Sequence, residues 1–416
     1  MPKRYLLVVA TFLLSLLLYI DRTCISTAKG PIVADLGLTD TQFGWILSAF
    51  AFGYALLQAP SGAMADKMGS RLVLATVVTA WSIFTGLTAA AWNFVSMFVV
   101  RFLFGAGEAG AFPGMAKAVY SWIPTKERGL VKGINFSASR LGAAATMPIL
   151  PLVISGIGWK LTFVVLMLVG FVWAGIWWFW FRDEPENHPS ISEEELKLIK
   201  ADKPTPSANT DDEDAGAGIS YFKNKNMWLM MGQYFGSNFT FFFCLSWLFT
   251  YVKNTYDLSF ESAGFYAAIP LLGGAAGNVF SGWMVDKLYA AGHKDWSRRL
   301  PAIIGFTLAS AGILLSLGQA DVVGAVAWLT IAVFGADMTL SPSWSFCIDI
   351  GGKHAGKISG TMNMAGNLGS AIVALAFPYL LAWTGGPEAF FYMAAALNAV
   401  AILFWILSNP KNVISA

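Results

Sequence analysis

Long apolar stretches fill most of this sequence, and each is about 20 residues long, the length that a helix needs to cross a bilayer. At 1.5 Å per residue, about 20 residues span a hydrocarbon core of about 30 Å. Of the 416 residues, 56% are hydrophobic and 12% are charged, whereas an average soluble domain has about 25% charged residues. The pattern therefore predicts an all-α membrane protein and argues against a soluble fold.

Charged residues and Gly or Pro breaks divide the apolar sequence into twelve predicted transmembrane helices, six on each side of one long polar stretch. The predicted spans are residues 5–27, 43–64, 72–92, 95–117, 129–155, 160–182, 227–252, 262–285, 299–318, 323–347, 356–381 and 386–408. We therefore predict three parts, namely an N-terminal six-helix bundle (1–182), a cytoplasmic linker (183–226) and a C-terminal six-helix bundle (227–416). In the linker, Ser192 with Glu195 three residues later predicts a capping box and a short surface helix through Lys200.

The distribution of Lys and Arg predicts the orientation of the chain. An even number of spans places both termini on the same side of the membrane. About 21 of the basic residues fall in the termini and in the loops after even-numbered spans. About three, Lys29, Lys160 and Lys253, fall on the opposite side, and three lie within helices. Because basic residues concentrate in cytoplasmic loops, both termini are predicted to be cytoplasmic.

The two predicted bundles repeat short motifs at the same places. Gly-x-x-x-Asp-Lys follows the second span and again the eighth, at residues 62–67 and 282–287. The fifth and eleventh spans share a glycine spacing, at Gly129, Gly133 and Leu141-Gly142 and at Gly356, Gly360 and Leu368-Gly369. Two duplicated bundles with a site near the membrane midplane are the usual architecture of an alternating-access carrier.

The loop after the second span carries the motif of a known superfamily. Gly62-Ala-Met-Ala-Asp66-Lys67-Met-Gly69-Ser70-Arg71 resembles the signature of the major facilitator superfamily and departs from it only at Ser70, where a second basic residue is common. The resemblance implies a cytoplasmic gate in which charged residues bridge the bundles in one conformation and release them in the other. The residues expected to form it are Asp66, Lys67, Gly69, Arg71, Asp286 and Lys287. The alternative is a charged loop that only follows the positive-inside rule.

Two further motifs resemble the anion:cation symporter family within that superfamily. They are Tyr19-Ile20-Asp21-Arg22 in the first span and Arg101-Phe-Leu-Phe-Gly-Ala-Gly-Glu108-Ala-Gly-Ala-Phe-Pro113 in the fourth. The segment 349–369 is more similar to the bacterial organic-acid members than to the animal ones, sialin and the vesicular glutamate carriers. The resemblance implies proton-coupled symport of a small organic anion, above all a sugar acid such as hexuronate, galactonate or glucarate. An anion uniporter or exchanger, or a sodium-coupled carrier of another carboxylate, is the alternative.

Arg22 and Arg101 are the candidate cations for binding the anion. A charged side chain in the middle of a span costs about 2.5–3.5 kcal/mol or more, so such residues indicate function. Guanidinium suits a carboxylate because its planar fork binds both oxygens and keeps its proton. The alternative is that each arginine only ties helices together or pairs with a buried acid.

Asp21 and Glu108 are the candidate proton carriers, because a buried carboxyl group near an arginine can change its protonation state during a transport cycle. Glu108 follows Arg101 by seven residues, so both are expected on one helix face about 10 Å apart. Asp21 and Arg22 are adjacent and point about 100° apart, which favours a cross-bundle contact for Asp21 and a substrate contact for Arg22. Permanent salt bridges that never titrate are the alternative.

Further polar residues inside spans are candidates for substrate contacts. Arg140 is a third buried cation, for a second anionic group or for balancing an acid, and Asp337 is a mid-span carboxylate with no assigned role. Partners for substrate hydroxyl groups are expected among the tyrosine, tryptophan, serine and asparagine side chains of the spans, namely Tyr54, Tyr234, Asn238, Ser343, Trp344, Asn363 and Asn367. Any of them can instead form only an interhelical hydrogen bond.

The sequence contains no pattern that indicates an enzyme. His188, His293 and His354 lie in or beside predicted loops, outside any recognisable catalytic motif, and no P-loop is present. Cys24, Cys244 and Cys347 have no metal spacing, so no metal or other cofactor is predicted. The net charge of +2 does not imply nucleic acid. The expected partners are a small organic anion, protons and the lipid bilayer, and the chain is expected to be a monomer in a bacterial inner membrane.

Overall fold

The structure is a computed structural model that describes residues 2–201, 221–351, 355–410 and 412. Within these ranges it leaves the side chains of residues 59, 62, 63, 66, 125, 126, 128–130, 132, 200, 201, 221 and 355–357 undescribed. The described residues form α-helices with short 3₁₀ turns and no β-strand. The chain divides into two compact units, Met1–Asn209 (unit 1) and Thr210–Ala416 (unit 2). The predicted all-α fold is confirmed.

The helices of unit 1 are α1 (Lys3–Thr27), α2 (Lys29–Leu36), α3 (Asp40–Met68), α4 (Ser70–Thr88), α5 (Phe94–Glu108), α6 (Ala111–Trp122), α7 (Thr125–Trp180) and α8 (Glu193–Ala201). Those of unit 2 are α9 (Lys225–Ser246), α10 (Leu248–Thr255), α11 (Phe260–Ala290), α12 (Lys294–Ser316), α13 (Val322–Met338), α14 (Leu340–Gly351), α15 (Ala355–Thr384) and α16 (Glu388–Leu407).

Nine helical segments in the described part of the chain are long and apolar enough to cross a bilayer, or ten if α9 and α10 form one span bent by 59°. One of the nine, Gly133–Trp180, is 48 residues long, about twice the length that a single span needs. The 29-residue α3 is not among the nine. Twelve spans are consistent with these lengths, but the number stays a prediction.

Several predicted helices are divided differently in the structure. The fifth and sixth predicted spans form one helical stretch, α7, with a kink at Gly158, whose φ of 78° is readily adopted only by glycine. The fourth and tenth predicted spans are each interrupted, α5 ending at Glu108 and α13 at Met338. The sequence pattern did not predict these breaks, because the residues around them remain apolar.

Close packing at glycines determines where the charged helices of unit 1 lie. A Cβ atom on Gly53 of α3 would overlap the carbonyl oxygen of Phe102, and one on Gly105 of α5 would overlap that of Phe50. The backbones of α3 and α5 are therefore in direct contact. In the same way, Gly142 of α7 packs against the carbonyl oxygen of Leu16 in α1.

The repeat read from the sequence has a structural counterpart. Gly369 of α15 packs against the carbonyl oxygen of Phe235 in α9, 2.8 Å from an added Cβ atom. Gly369 is the residue that the repeat pairs with Gly142. The other described pair, Gly133 and Gly360, has nothing within 4 Å of an added Cβ atom in either unit. The same helix pair is thus packed through the same glycine in both units.

The first part of the predicted linker packs on unit 1. The backbone N–H groups of Lys3 and Arg4, at the start of α1, each donate to the carboxylate of Glu195 at 2.9 Å. The Glu195 N–H donates to Ser192 Oγ at 3.2 Å, as the predicted capping box requires. The reciprocal half of that prediction is wrong, because the Glu195 side chain caps α1 and not α8.

Candidate functional site

Four ionisable side chains lie together in unit 1, Asp21 and Arg22 on α1 and Arg101 and Glu108 on α5. Their exposed fractions are 1% for Asp21, 2% for Arg101, 0% for Glu108 and 8% for the side chain of Arg22. Burying four charges in a membrane helix bundle is unfavourable unless they compensate one another or a ligand. The cluster is therefore the candidate site.

Arg22 and Glu108 form an ion pair. Both Nε and Nη2 of Arg22 contact the same carboxylate oxygen, Oε1 of Glu108. The other oxygen, Oε2, is buried and has no hydrogen-bond partner. Aromatic rings surround the guanidinium, with Cζ of Arg22 4.8 Å from the ring centre of Tyr54 and 5.1 Å from that of Tyr19. The pair is therefore shielded from water, and Oε2 of Glu108 remains available to accept a hydrogen bond.

Arg101 has no anionic partner among the described residues. Its Nε is buried without a hydrogen bond, and its guanidinium lies against rings, with Cζ 4.2 Å from the centre of Phe104 and 5.6 Å from that of Phe50. Asp21 and Glu108 are close enough to interact with its charge. A cation–π contact compensates only part of the charge of a buried guanidinium, so Arg101 can take an incoming anion.

Asp21 makes its hydrogen bond to a residue that sequence reasoning missed. Its Oδ2 accepts from Nε1 of Trp81 on α4 at 3.1 Å, and its Oδ1 is buried without a partner. The tryptophan is 0% exposed. No motif indicated Trp81, because 60 positions separate it from Asp21 and tryptophan is common in membrane helices. This contact lies inside unit 1, and the cross-bundle contact expected for Asp21 stays a prediction.

The partner of Glu108 is on another helix. The seven-residue interval predicted that Arg101 and Glu108 share a helix face about 10 Å apart, and the ion pair of Glu108 is with Arg22 of α1, 86 positions away. Arg140 of α7 is 5% exposed and lies beside the cluster, its Cζ 6.0 Å from the ring centre of Tyr19. Tyr19 therefore lies against both Arg22 and Arg140.

The candidate residues of unit 2 are neutral and mostly bonded to one another. Trp344 donates from Nε1 to the hydroxyl group of Tyr234 at 3.2 Å, and Nδ2 of Asn238 donates to the carbonyl oxygen of Tyr234 at 2.9 Å. Ser343 is fully buried and donates to Oε1 of Gln233. The bonds of Trp344 and Ser343 join α14 to α9, whereas the bond of Asn238 lies within α9.

Three other candidates lie on α13 and α15. Asn363 and Asn367 are half-buried and follow one another by one helical turn on α15, so they share a face. Asp337 is 1% exposed and lies against Gly274 of α11, where an added Cβ atom would be 2.5 Å from its Oδ2.

Two residues of the predicted gate, Gly69 and Arg71, contact other residues of unit 1. Arg71 Nη2 donates to the carbonyl oxygen of Trp178 at 2.8 Å, and its backbone N–H donates to Asp183 at 3.0 Å. Gly69 has a φ of 80° and packs against the Asp183 carboxylate. Asp183 and Trp178 were not singled out from the sequence.

The other gate residues are at helix ends. Lys67 and Asp286 are exposed, and Lys287 Nζ lies 4.6 Å from the ring centre of Trp283. The side chain of Asp66 and all of His354 lie outside the described residues.

Comparison with known proteins agrees with this fold. Residues 11–374 match the model of the Major Facilitator Superfamily. The chain is 32% identical to "Probable sulfoacetate transporter SauU" of Cupriavidus necator over 410 residues, covering 98% of this chain and 94% of that protein. It is also 32% identical to "Probable galactarate/D-glucarate transporter GarP" of Escherichia coli, covering 98% and 96% of the two chains. The hexuronate transporter of Bacillus subtilis is 29% identical, with 94% and 91% covered.

Solved structures share the fold at lower identity. A bacterial homolog of the human lysosomal transporter Spinster, in an inward-facing and occupied conformation, aligns with a TM-score of 0.79 at 18% identity, covering 100% of this chain and 99% of that one. The D-xylose-proton symporter aligns with a TM-score of 0.78 at 16% identity, covering 98% and 99%. These solved structures therefore share the fold of this chain.

The chain belongs to the major facilitator superfamily. The resemblance to anion:cation symporters, drawn from the motifs around Asp21 and Glu108, is confirmed by these relatives, which are named as a probable sulfoacetate transporter, a probable galactarate/D-glucarate transporter and a hexuronate transporter.

Proposed function

We propose that this protein is a secondary active transporter that couples the uptake of a small organic anion to protons by alternating access. The observation that carries the proposal is the buried cluster of unit 1. One arginine, Arg22, is neutralised there by a carboxylate, and another, Arg101, has no anionic partner among the described residues.

Arg101 provides the first contact for the anion. Nε of Arg101 is buried without an acceptor, which is unfavourable because this N–H group has given up water without a replacement. A carboxylate or sulfonate group supplies the missing acceptor oxygens and the negative charge, and it fits the planar fork of the guanidinium. The rings of Phe50 and Phe104 hold the guanidinium in place.

Protonation of Glu108 provides the coupling. A proton on Glu108 removes the charge that holds Arg22, so Arg22 becomes available to the anion. Conversely, when Glu108 loses its proton, its carboxylate competes with the substrate for Arg22. Binding of the anion and binding of the proton therefore favour each other, as symport requires. Asp21, with its unpartnered Oδ1, is the second proton carrier.

The remaining candidates bind the uncharged part of the substrate. Tyr54 lies against Arg22, so its hydroxyl group is a candidate contact near the carboxylate. Asn363 and Asn367, half-buried on one face of α15, are proposed to bind substrate hydroxyl groups with the other polar side chains of unit 2, Tyr234, Asn238, Ser343 and Trp344. Ser343 is the weakest of these, because its hydroxyl group already donates within the helix bundle. Arg140 is proposed to bind a second anionic group.

The signature residues are proposed to form the cytoplasmic gate. Arg71 binds the end of α7 in this structure, so a gating role requires that it exchange this carbonyl oxygen for another partner during the cycle. Asp66, Lys67, Gly69, Asp286 and Lys287 are the other proposed members. We place both termini in the cytoplasm, the protein in a bacterial inner membrane, and its functional form as a monomer.

Uptake into proteoliposomes tests the proposal. The substrate panel contains galactonate, glucarate, a hexuronate and sulfoacetate, each with an imposed pH gradient, an imposed sodium gradient, or none. We expect accumulation of at least one anion only with the pH gradient, and its loss in Asp21→Asn. Accumulation driven by sodium, or equilibration without any gradient dependence, would instead support a sodium-coupled carrier or a uniporter.

A further inference from the structure

Trp81 is buried in unit 1 beside a residue that we propose to carry a proton. It lies on α4, is 0% exposed, and donates its indole N–H to Oδ2 of Asp21 at 3.1 Å. The backbones of α4 and α5 are close together at this point, because an added Cβ atom on Gly107 would be 3.3 Å from the Trp81 backbone nitrogen.

The chemistry of the indole group restricts where the proton of Asp21 can be. An indole N–H donates a hydrogen bond and has no acceptor atom for a second one. Oδ2 of Asp21 therefore accepts this bond whether or not the carboxyl group is protonated. Because the carbonyl oxygen of a carboxylic acid is a better acceptor than its hydroxyl oxygen, the bond favours the proton on the other oxygen, Oδ1, which is buried and has no hydrogen-bond partner.

The contact also stabilises one protonation state more than the other. A hydrogen bond to a charged acceptor is about twice as strong as one to a neutral acceptor. The Trp81 N–H therefore favours the carboxylate of Asp21 over the carboxylic acid, without contributing a charge of its own.

We infer that Trp81 is a positioning residue that directs proton exchange at Asp21 to Oδ1 and sets the pH at which this proton binds. The inference rests on the proposed function, since it requires that Asp21 titrate during transport. The charged and titratable groups near Asp21, on α1 and α5, are Arg22, Cys24, Arg101 and Glu108, and Arg140 of α7 lies against Tyr19. Trp81 is the contact from α4.

Removing the N–H group while keeping the ring tests the inference. In Trp81→Phe, we expect the pH at which uptake is half-maximal to rise by about one unit, because the carboxylate of Asp21 loses its donor. Counterflow exchange, which needs no net proton release, should persist. The matched control is Trp177→Phe, since Trp177 is 1% exposed and its Nε1 is buried without a hydrogen-bond acceptor. The control should keep the pH profile of the parent.

A second variant separates the hydrogen bond from the packing. Benzothienylalanine at position 81 replaces the indole N–H by sulfur at almost unchanged size. It should shift the pH profile as Trp81→Phe does, even if the smaller phenylalanine ring destabilises the protein. In infrared difference spectra, the C=O stretch of protonated Asp21, identified by its absence in Asp21→Asn, should move to higher frequency.

An unchanged pH profile and an unchanged C=O band in both position-81 variants would overturn the inference. This outcome differs from failure of the proposed function. If Asp21→Asn accumulates substrate as the parent does, Asp21 does not carry the coupling proton. If Asp21→Asn is inactive while the position-81 variants keep the parent profile, only the role of Trp81 is wrong.

Discussion

The ion pair of unit 1 uses one oxygen of Glu108 and two nitrogens of Arg22. This geometry leaves the second oxygen of Glu108, Oε2, buried and without a hydrogen bond. A proton can therefore be accepted at Oε2 without first displacing another group, and its arrival weakens the contact at Oε1. The proposed proton carrier, Glu108, and the proposed anion-binding residue, Arg22, are thus in direct contact.

Arg22→Lys should reduce uptake by about 10- to 100-fold, although the charge is conserved. A lysine ammonium group is a point charge and cannot form two parallel hydrogen bonds to a planar carboxylate, and such bonds to charged groups contribute about 1.5–3 kcal/mol each. Initial rates in proteoliposomes, normalised to protein content, measure the effect. Lys160→Arg, at an exposed position paired with Asp35, is the control and should transport normally. Near-normal transport by Arg22→Lys would contradict the proposed contact.

Glu108→Gln should lose pH-driven accumulation and keep counterflow exchange. The amide resembles the protonated acid, so Arg22 remains available to the anion, but no proton can leave in the empty carrier. The two activities are measured on the same proteoliposomes at several pH values. Loss of both activities in a folded variant would mean that Glu108 holds the helices together and does not carry a proton.

The ionisable residues of the cluster were predictable, but their pairing was not. Asp21, Arg22, Arg101 and Glu108 stand out because a charge inside an apolar span is costly. Which of them meet depends on how the helices of unit 1 pack. That packing includes close glycine contacts between residues that are far apart in the sequence, such as Gly142 and Leu16. The Trp81 hydrogen bond and the Arg22–Glu108 pair are therefore results of the tertiary structure alone.

At the scale of the helices, the glycine contacts explain how two transmembrane helices approach closely enough to bring polar groups together. Gly142 and Gly369 lie where backbone carbonyl oxygens leave no room for a Cβ atom, and Gly133 and Gly360 lie in open space. The sequence repeat correctly matched these positions between the halves. The repeat did not indicate which of the two glycines within each half is the closely packed one.

Gly142→Ala should destabilise the protein by about 1–3 kcal/mol, because the added methyl group overlaps the backbone of α1. Gly133→Ala, on the same helix, should be neutral or stabilising by up to about 1 kcal/mol, since alanine favours helix and nothing is displaced. Thermal unfolding in detergent measures both. Gly369→Ala and Gly360→Ala should repeat the contrast in unit 2, and equal effects within either pair would contradict the packing.

His188 shows that the first part of the linker is structured. It is 6% exposed, with its ring 5.4 Å from that of Trp122 and 5.6 Å from that of Trp180. Burial lowers the pKa of His188, and the positive charges of Lys3 and Arg182 lower it further. The sequence placed this histidine in a loop and gave no indication that aromatic rings enclose it.

The lowered pKa of His188 predicts a specific pH dependence of stability. Because the folded state favours the neutral ring, the stabilisation is fully present above the unfolded pKa of about 6.5 and is lost as the pH falls toward the folded value. His188→Phe should therefore gain stability relative to the parent by a few degrees as the pH is lowered from 7.5 to 5.5. Differential scanning fluorimetry at each pH measures the difference, and a constant difference across this range would refute the prediction.

At the scale of the whole chain, the fold and its class followed from the sequence more directly than the site did. The spacing of apolar stretches predicted the helices because bilayer thickness fixes their length. The motif around Asp66 and Arg71 gave the superfamily because it is a local pattern. Substrate identity did not follow, since relatives at similar identity are named as probable transporters of different anions, sulfoacetate in one case and galactarate or D-glucarate in the other.

The pH dependence of substrate affinity tests the central claim, that protonation of Glu108 frees Arg22 for the anion. The apparent Kd is measured by titration calorimetry on purified protein between pH 5 and pH 9, with the anion identified by the uptake panel. In the alkaline part of this range, the account predicts that the apparent Kd of the parent rises about tenfold per pH unit for each proton that must bind with the anion. In Glu108→Gln, the slope of log Kd against pH should be smaller by one, because one proton fewer binds with the anion. A parent whose Kd does not change with pH over the whole range would contradict the account.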